Sequence, residues 1–208
     1  MNEQAIQSQL AELLDEIEAD PENTDLLNDA GVGHYLLGNY ERAVHFLKRA
    51  AEGSNHPSHW FNLGNAYSEL QHLQQALEAY LRTLEVKPDH TGALTHAADL
   101  YDELGEDGRA RELFEYLTRL SPDDPLPHFN LANFLLRQNE HMKAAKLYEK
   151  VIEMDWQFAD AYYNIAWILL QAKAYEESFE YAEKGLSVDP HHNELRALRD
   201  ELRDRQSA

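Results

Sequence analysis

A period of 34 residues constrains this chain more than any other feature. Prolines mark it: Pro88 to Pro122 spans 34 positions, and Pro122 to Pro190 spans 68, with Trp156 in the slot between. Pro21 to Pro88 spans 67, so one residue is missing in the turn around Asn55, His56 and Pro57. A chain with such a period repeats one supersecondary unit and stacks the copies, because a single copy cannot bury its apolar face.

The slots inside the period repeat too. Gly64 is matched by Gly31, Ala98, Ala132 and Ala166, and Ala76 by Ala43, Ala110, Ala144 and Ser178. Small side chains at both places let two helices cross closely. Leu63 is matched by Ala30, Ala97, Leu131 and Ile165, and Tyr80 by Leu47, Phe114, Tyr148 and Ala182. Gly38, Gly105 and Asn139 sit between the paired helices, where a helix C-terminus favours positive φ. Pro57 and Pro125 stand where a helix can start.

Trp60, Leu63, Gly64 and Tyr67, followed by Ala76, Tyr80 and Pro88, follow the pattern W-x2-L-G-x2-Y, A-x3-F, P, with Tyr80 for Phe. The stretch resembles the tetratricopeptide repeat family, and the resemblance covers almost the whole chain. It implies an all-α fold, a right-handed α-solenoid of about five helix-turn-helix repeats in a single domain. The repeats are placed at 24–56, 57–90, 91–124, 125–158 and 159–192. An amphipathic helix over 1–20 precedes them, with Ile6, Leu10, Leu13, Leu14 and Ile17 at helical spacing. Residues 193–205 form a closing helix, with a narrow stripe of Leu195, Leu198 and Leu202 among charges. With both terminal helices the array reads as a complete module.

Composition narrows the function. There is no cysteine, so disulfides, thiol nucleophiles and cysteine metal sites are excluded. The net charge of −20 repels nucleic acid and anionic lipid. It reads first as a solvated surface and in the alternative as an attraction for a protein or peptide with a basic segment, to which the apolar residues of the groove stripe named below add an apolar one. No window approaches the ~18 apolar residues of a membrane span, and no leader pattern opens the chain. A cytoplasmic protein without membrane insertion is the expectation.

The family resemblance implies a concave groove lined by the first helix of each pair. In this sequence the groove stripe contains Phe61, Asn62 and Asn65, then Asp99 and Asp102, then Phe129, Asn130 and Asn133, then Tyr163, Asn164 and Trp167. Asn62, Asn130 and Asn164 share one slot, and Asn65 and Asn133 another. Their amides can serve a peptide backbone as donor and acceptor. The arrangement resembles the asparagine ladder in the tetratricopeptide groove of O-linked N-acetylglucosamine transferase, interrupted here at Asp29 and His96. The stripe has no Lys or Arg, with Arg137 only at its border, which argues against clamping a terminal carboxylate.

Catalytic and metal signatures are absent. There is no His-Glu-x-x-His run, no phosphate loop and no Gly-x-Ser-x-Gly elbow. Asp99, Asp102 and His96 share a helix face, but no nucleophile stands with them. His56, His59, His90, His191 and His192 are expected as incidental surface residues at turns. The expected function is therefore a non-catalytic scaffold that binds an extended peptide or partner helix, without metal or cofactor. The alternatives are a homo-oligomeric scaffold assembled through the N-terminal helix and a chaperone for a secreted or membrane-associated partner.

Overall fold

The computed structural model describes residues 3–206. Among these there are twelve α-helices and no strands. Five are first helices of pairs: α2 (Thr24–Leu36), α4 (Pro57–Glu69), α6 (Thr91–Glu103), α8 (Pro125–Arg137) and α10 (Ala159–Gln171). Five are second helices: α3 (Tyr40–Gly53), α5 (Leu73–Val86), α7 (Asp107–Leu120), α9 (His141–Met154) and α11 (Tyr175–Val188). Every first helix has 13 residues and every second helix 14. α1 (Glu3–Ala19) precedes the pairs and α12 (Asn193–Gln206) follows them. No helix among the described residues is long and apolar enough to cross a membrane.

All five turns inside the pairs are built alike. The second residue after the helix end takes positive φ at Gly38, Gln71, Gly105, Asn139 and Lys173. The next amide donates back to a carbonyl five residues earlier: Asn39 to His34, His72 to Tyr67, Glu106 to Tyr101, Glu140 to Leu135 and Ala174 to Leu169, at 2.7–3.0 Å. These bonds satisfy carbonyls that a helix end would leave unpaired. Helix starts are capped with more variety. Asn23, His90, Asp124 and His192 each accept a backbone N–H of the following turn through a side-chain atom. Pro57 and Pro125 occupy the first turn of their helices.

The chain forms two compact units, the first ending at Leu113 and the second beginning at Phe114. In the first, Leu10 and Ile17 of α1 are buried with Leu27, Ala30 and Ala50. A second cluster joins Ala43, Leu47, Ala51, Leu63, Ala66 and Ala79, with Trp60 and Tyr67 packed at its edge. In the second unit, Leu195, Leu198 and Leu202 of α12 are buried with Ala166 and Ala182, beside Phe179 and Leu186.

The small slots bring helices together. A Cβ on Gly64 would lie 2.6 Å from the Tyr80 ring, and one on Gly31 would lie 2.5 Å from Leu47 Cγ. Ala43, Ala76, Ala110 and Ala144 are fully buried. Ser178 fills the same slot in α11 and donates its hydroxyl to the Ala166 carbonyl at 2.7 Å, so its polar atom costs little there. Gly108, near the start of α7, has open space around it. Gly64→Ala should therefore destabilise by about 1–3 kcal/mol through overpacking, despite the better helix propensity of alanine. Gly108→Ala should stabilise by up to about 1 kcal/mol. Urea unfolding of the two variants beside the parent checks the opposite signs.

Candidate functional site

In the second unit, α8 and α10 carry the aromatic residues of the expected stripe, Phe129 on α8 and Tyr163 and Trp167 on α10. Phe129 is half-buried, with its ring 4.7 Å from Phe158 and 5.6 Å from Tyr148. Tyr163 stacks on His192 at 5.8 Å. Both contacts follow one rule: an aromatic ring on a first helix meets the residue just before the helix that opens the following repeat or the closing helix. The first unit repeats it, with Phe61 4.6 Å from His90. Phe61 also lies 5.8 Å from both Tyr80 and His96, over Gly92, whose missing side chain makes room for it.

Trp167 differs from these rings. It is half-buried, lies parallel to His141 at 6.1 Å, and opens with Tyr163 onto a cavity of about 570 Å³ between α10 and α12. Leu170, Tyr175, Leu198 and Arg205 complete the apolar and basic walls, and Glu194 and Glu201 the acidic ones. Arg205 bonds Glu201 at 2.8 Å and lies over the Tyr175 ring at 5.6 Å. The side facing the core is filled by Tyr162, Ile165 and Ala166, all buried. The cavity thus has an aromatic wall and a charged rim, a combination that suits the burial of an apolar group and the orientation of a polar one.

The asparagines divide into two kinds. Asn65 accepts the Tyr80 hydroxyl at 2.9 Å, and Asn133 accepts the Tyr148 hydroxyl at 2.7 Å. Each phenol is fully buried, and burial raises its pKa. The sequence shows the pairing at a separation of 15. Asn occurs at this slot only where the second helix supplies Tyr, and Val32, Asp99 and Trp167 stand there where it supplies Leu47, Phe114 and Ala182. In the other slot, Asn62 donates to Asn28 at 2.9 Å, Asn164 lies 3.4 Å from Asn133, and Asn130 is half-buried beside Phe129. Asp99 is exposed and Asp102 half-buried, and both have interaction partners.

Of the histidines expected as incidental surface residues, His56 and His191 are exposed, whereas His59 is buried and His90 and His192 serve as caps. His34, His59 and His128 are buried. His34 stacks on Phe46 at 5.4 Å, and His59 Nδ1 lies 2.7 Å from the Ser54 hydroxyl. His90 and His192 cap helices through Nδ1. Among the described residues, no group of three His, Asp or Glu could hold a metal ion.

Four histidines of the first unit have lowered pKa values. Burial is the leading cause in each, followed by Arg42 for His34, His56 for His59 and the His90 charge for His96. For His90, Lys87 adds to the burial effect. His96 is exposed as a residue, but its ring stacks on Phe61 at 5.8 Å and on Tyr80 at 5.1 Å, and these rings take water from it.

A family model described as "Tetratricopeptide repeat" matches residues 61–125 and 129–191. Another, described as "Anaphase-promoting complex, cyclosome, subunit 3", matches residues 9–83. Among curated proteins, the chain is 26% identical over 189 residues to human protein O-mannosyl-transferase TMTC3, covering 82% of this chain and 20% of that protein. It is 21% identical over 199 residues to the TPR repeat-containing protein MJ1428 of Methanocaldococcus jannaschii, covering 87% of this chain and 35% of that protein. The chain thus spans about a fifth to a third of the length of these relatives. Among solved structures, YrrB, described as a TPR protein with an unusual peptide-binding site, superposes with a TM-score of 0.71 at 18% identity, over 90% of this chain and 97% of its own. Pseudomonas aeruginosa pilF superposes with a TM-score of 0.74 at 16% identity, over 95% of this chain and 90% of its own. At that identity the likeness is one of fold.

Two expectations follow from this geometry. Tyr80→Phe should cost about 0.5–1.5 kcal/mol, and Asn65→Ala, which leaves a buried phenol without its acceptor, about 1–3 kcal/mol. In the Tyr80→Phe background Asn65→Ala should cost less, and a double-mutant cycle measures the difference. The second concerns pH. Unfolded histidines titrate near 6.5, and the four native ones bind their protons at lower pH. Below 6.5 the unfolded state therefore holds more protons, so the stabilisation is complete above 6.5 and is lost as pH falls toward the native values. Amide exchange in α2–α5 should be faster at about pH 5.5 than at about pH 7.5 after correction for the intrinsic rate. His34→Leu should remove part of that dependence.

Proposed function

We propose that this chain, which belongs to the tetratricopeptide repeat family, holds an extended peptide or a partner helix on the exposed faces of its first helices. The fold is in general a non-catalytic scaffold for protein–protein interaction. The observation that carries the finer reading is the cavity beside Trp167 and Tyr163 in the second unit. An indole on a half-buried wall, outside the core, gains most when a partner removes its remaining water, and such anchors dominate binding energies.

In this reading an apolar side chain of the partner enters between α10 and α12. Asn130 and Asn164 serve the partner's backbone, while Asn133, whose oxygen already accepts Tyr148, contributes its N–H donors. Phe129 holds the wall in place through Phe158. In the first unit, Phe61, Asn62, Asn65, Asp99 and Asp102 form the corresponding surface, and their carboxylates favour a basic segment. The peptide-binding site named for YrrB supports a peptide as ligand. The likeness to TMTC3 covers a fifth of that protein, and no transferase activity is taken from it.

The test separates anchor from support. Peptides selected by phage display on the wild-type chain should bind Trp167→Ala more weakly by about 2 kcal/mol, roughly 30-fold, while its circular dichroism melt stays close to the parent's. Phe129→Ala should lose stability as well, since its ring packs between two others. Selected peptides that bind Trp167→Ala as tightly as wild type would overturn the reading.

A further inference from the structure

The first unit has a second concave surface, which the Trp167 reading does not use. α1 and α2 leave a groove of about 280 Å³ between them, floored by Leu10 and Gly33 and walled by Ile6, Leu13, Val32 and Leu36, with Gln9 and Asp29 as its polar members. Gly33 keeps the floor low, since a Cβ there would come within 3.3 Å of Leu10. Leu36 is 55% exposed, and Ile6 and Leu13, on the outer edge of α1, are half-buried. The inner edge of the α1 stripe, Leu10 and Ile17, is already buried against the rest of the unit. The outer edge is apolar and open to water.

The charge around this groove has one sign. Residues 1–41 contain ten Asp and Glu and no Lys or Arg. Up to Leu113 the chain carries twenty-one acidic and seven basic residues, a net −14 of the total −20. Among the described residues, Glu12, Asp15, Glu16 and Glu18 of α1 have no cationic partner.

We propose that this groove is a docking site for a cationic amphipathic helix. Three arguments select that occupant. The backbone amides and carbonyls of α1 and α2 are bonded within their own helices, so a partner finds no main-chain edge to pair with and must satisfy its own backbone, as a helix does. A narrow apolar groove accepts one row of side chains at i, i+3 or i+4 spacing. The unpaired carboxylates along α1 attract Lys and Arg flanking that row and repel an acidic helix. A second copy of this chain fits poorly. Two first units repel each other, and α12, with four arginines, has Leu195, Leu198 and Leu202 buried in its own core. The proposal is independent of the Trp167 cavity.

The probe is a fluorescein-labelled 18-residue peptide with Leu at i, i+3, i+4 and i+7 spacing and Lys elsewhere, beside the same peptide with Glu for Lys. Binding to the full chain is followed by anisotropy at nanomolar peptide. The Lys peptide should bind, more weakly but still measurably as salt is raised, and the Glu peptide should not bind. Leu36→Glu decides between seating in the groove and mere charge attraction. It adds a negative charge, so simple attraction would tighten binding, whereas a seated helix loses its apolar contact and binds at least 10-fold more weakly. Leu126→Glu, the same change at an exposed leucine of the second unit, should leave binding unchanged. Because Leu36 is exposed, the variant should fold, and circular dichroism verifies it. Equal or tighter binding by Leu36→Glu, equal binding of the Glu peptide, or self-association of the wild type that Leu36→Glu abolishes would each overturn the proposal.

Discussion

The close approach of the two helices in each pair is the constraint on which the other features depend. At Gly31 and Gly64 the partner side chain lies where a Cβ would have to go. Leu47 and Tyr80 are therefore pressed against bare backbone, and each is almost fully buried. Such contact maximises dispersion between atoms that a larger side chain would hold apart. It also fixes the turn. Two helices that close together can be joined by so short a link only if the chain reverses at once, which the positive-φ residue achieves. With one face of each first helix committed to its partner and a second face to the next pair, a single stripe remains for ligands. The candidate site is what the packing leaves over.

Features that depend on one residue type in one slot were legible in the sequence. The small slots recur because only small side chains fit, and the prolines recur because helix starts tolerate them. The turn was legible at Gly38, Gly105 and Asn139, whose types accept positive φ. It was not legible at Gln71 and Lys173, where the surrounding helices impose the conformation on ordinary residues at a cost of about 1 kcal/mol. His59 and His90 were misjudged for a related reason. An imidazole can be a core ring, a cap or a solvated base, and only its neighbours decide. The Ser54 hydroxyl holds His59 as a buried ring, and the Ala93 amide makes His90 a cap.

The candidate site was legible in its members and not in their roles. Asn65 and Asn133 looked like rungs of a ligand ladder, but each is first the acceptor of a buried phenol. This changes what a mutation there reports. A binding defect in Asn65→Ala could arise from a displaced Tyr80, and through it from Phe61, whose ring lies 5.8 Å away. Trp167 is cleaner as a probe, since its ring stacks on His141 and opens onto a cavity. The cavity itself could not be read from any single helix. It exists because α12 lies along α10 and presents Ala197 and Leu198, with Glu194, Glu201 and Arg205 at the rim.

The two terminal helices show how one architecture can treat an outer face in opposite ways. In α12 the slots that hold Tyr162, Ile165, Ala166 and Leu169 in α10 hold Arg196, Arg199, Asp200 and Arg203. These charges are held by local partners, with Arg196 on the Pro190 carbonyl and Arg199 on Asp200 and Glu183. Burying that face against another helix would strip water from four charged groups, so it is built for solvent. On α1 the outer edge is instead leucine and isoleucine beside carboxylates that lack cations. An apolar edge gains from being covered, and an unneutralised acidic one repels itself until a cation arrives. A cationic, apolar partner relieves both at once, which neither a neutral apolar segment nor a polar cation could do alone.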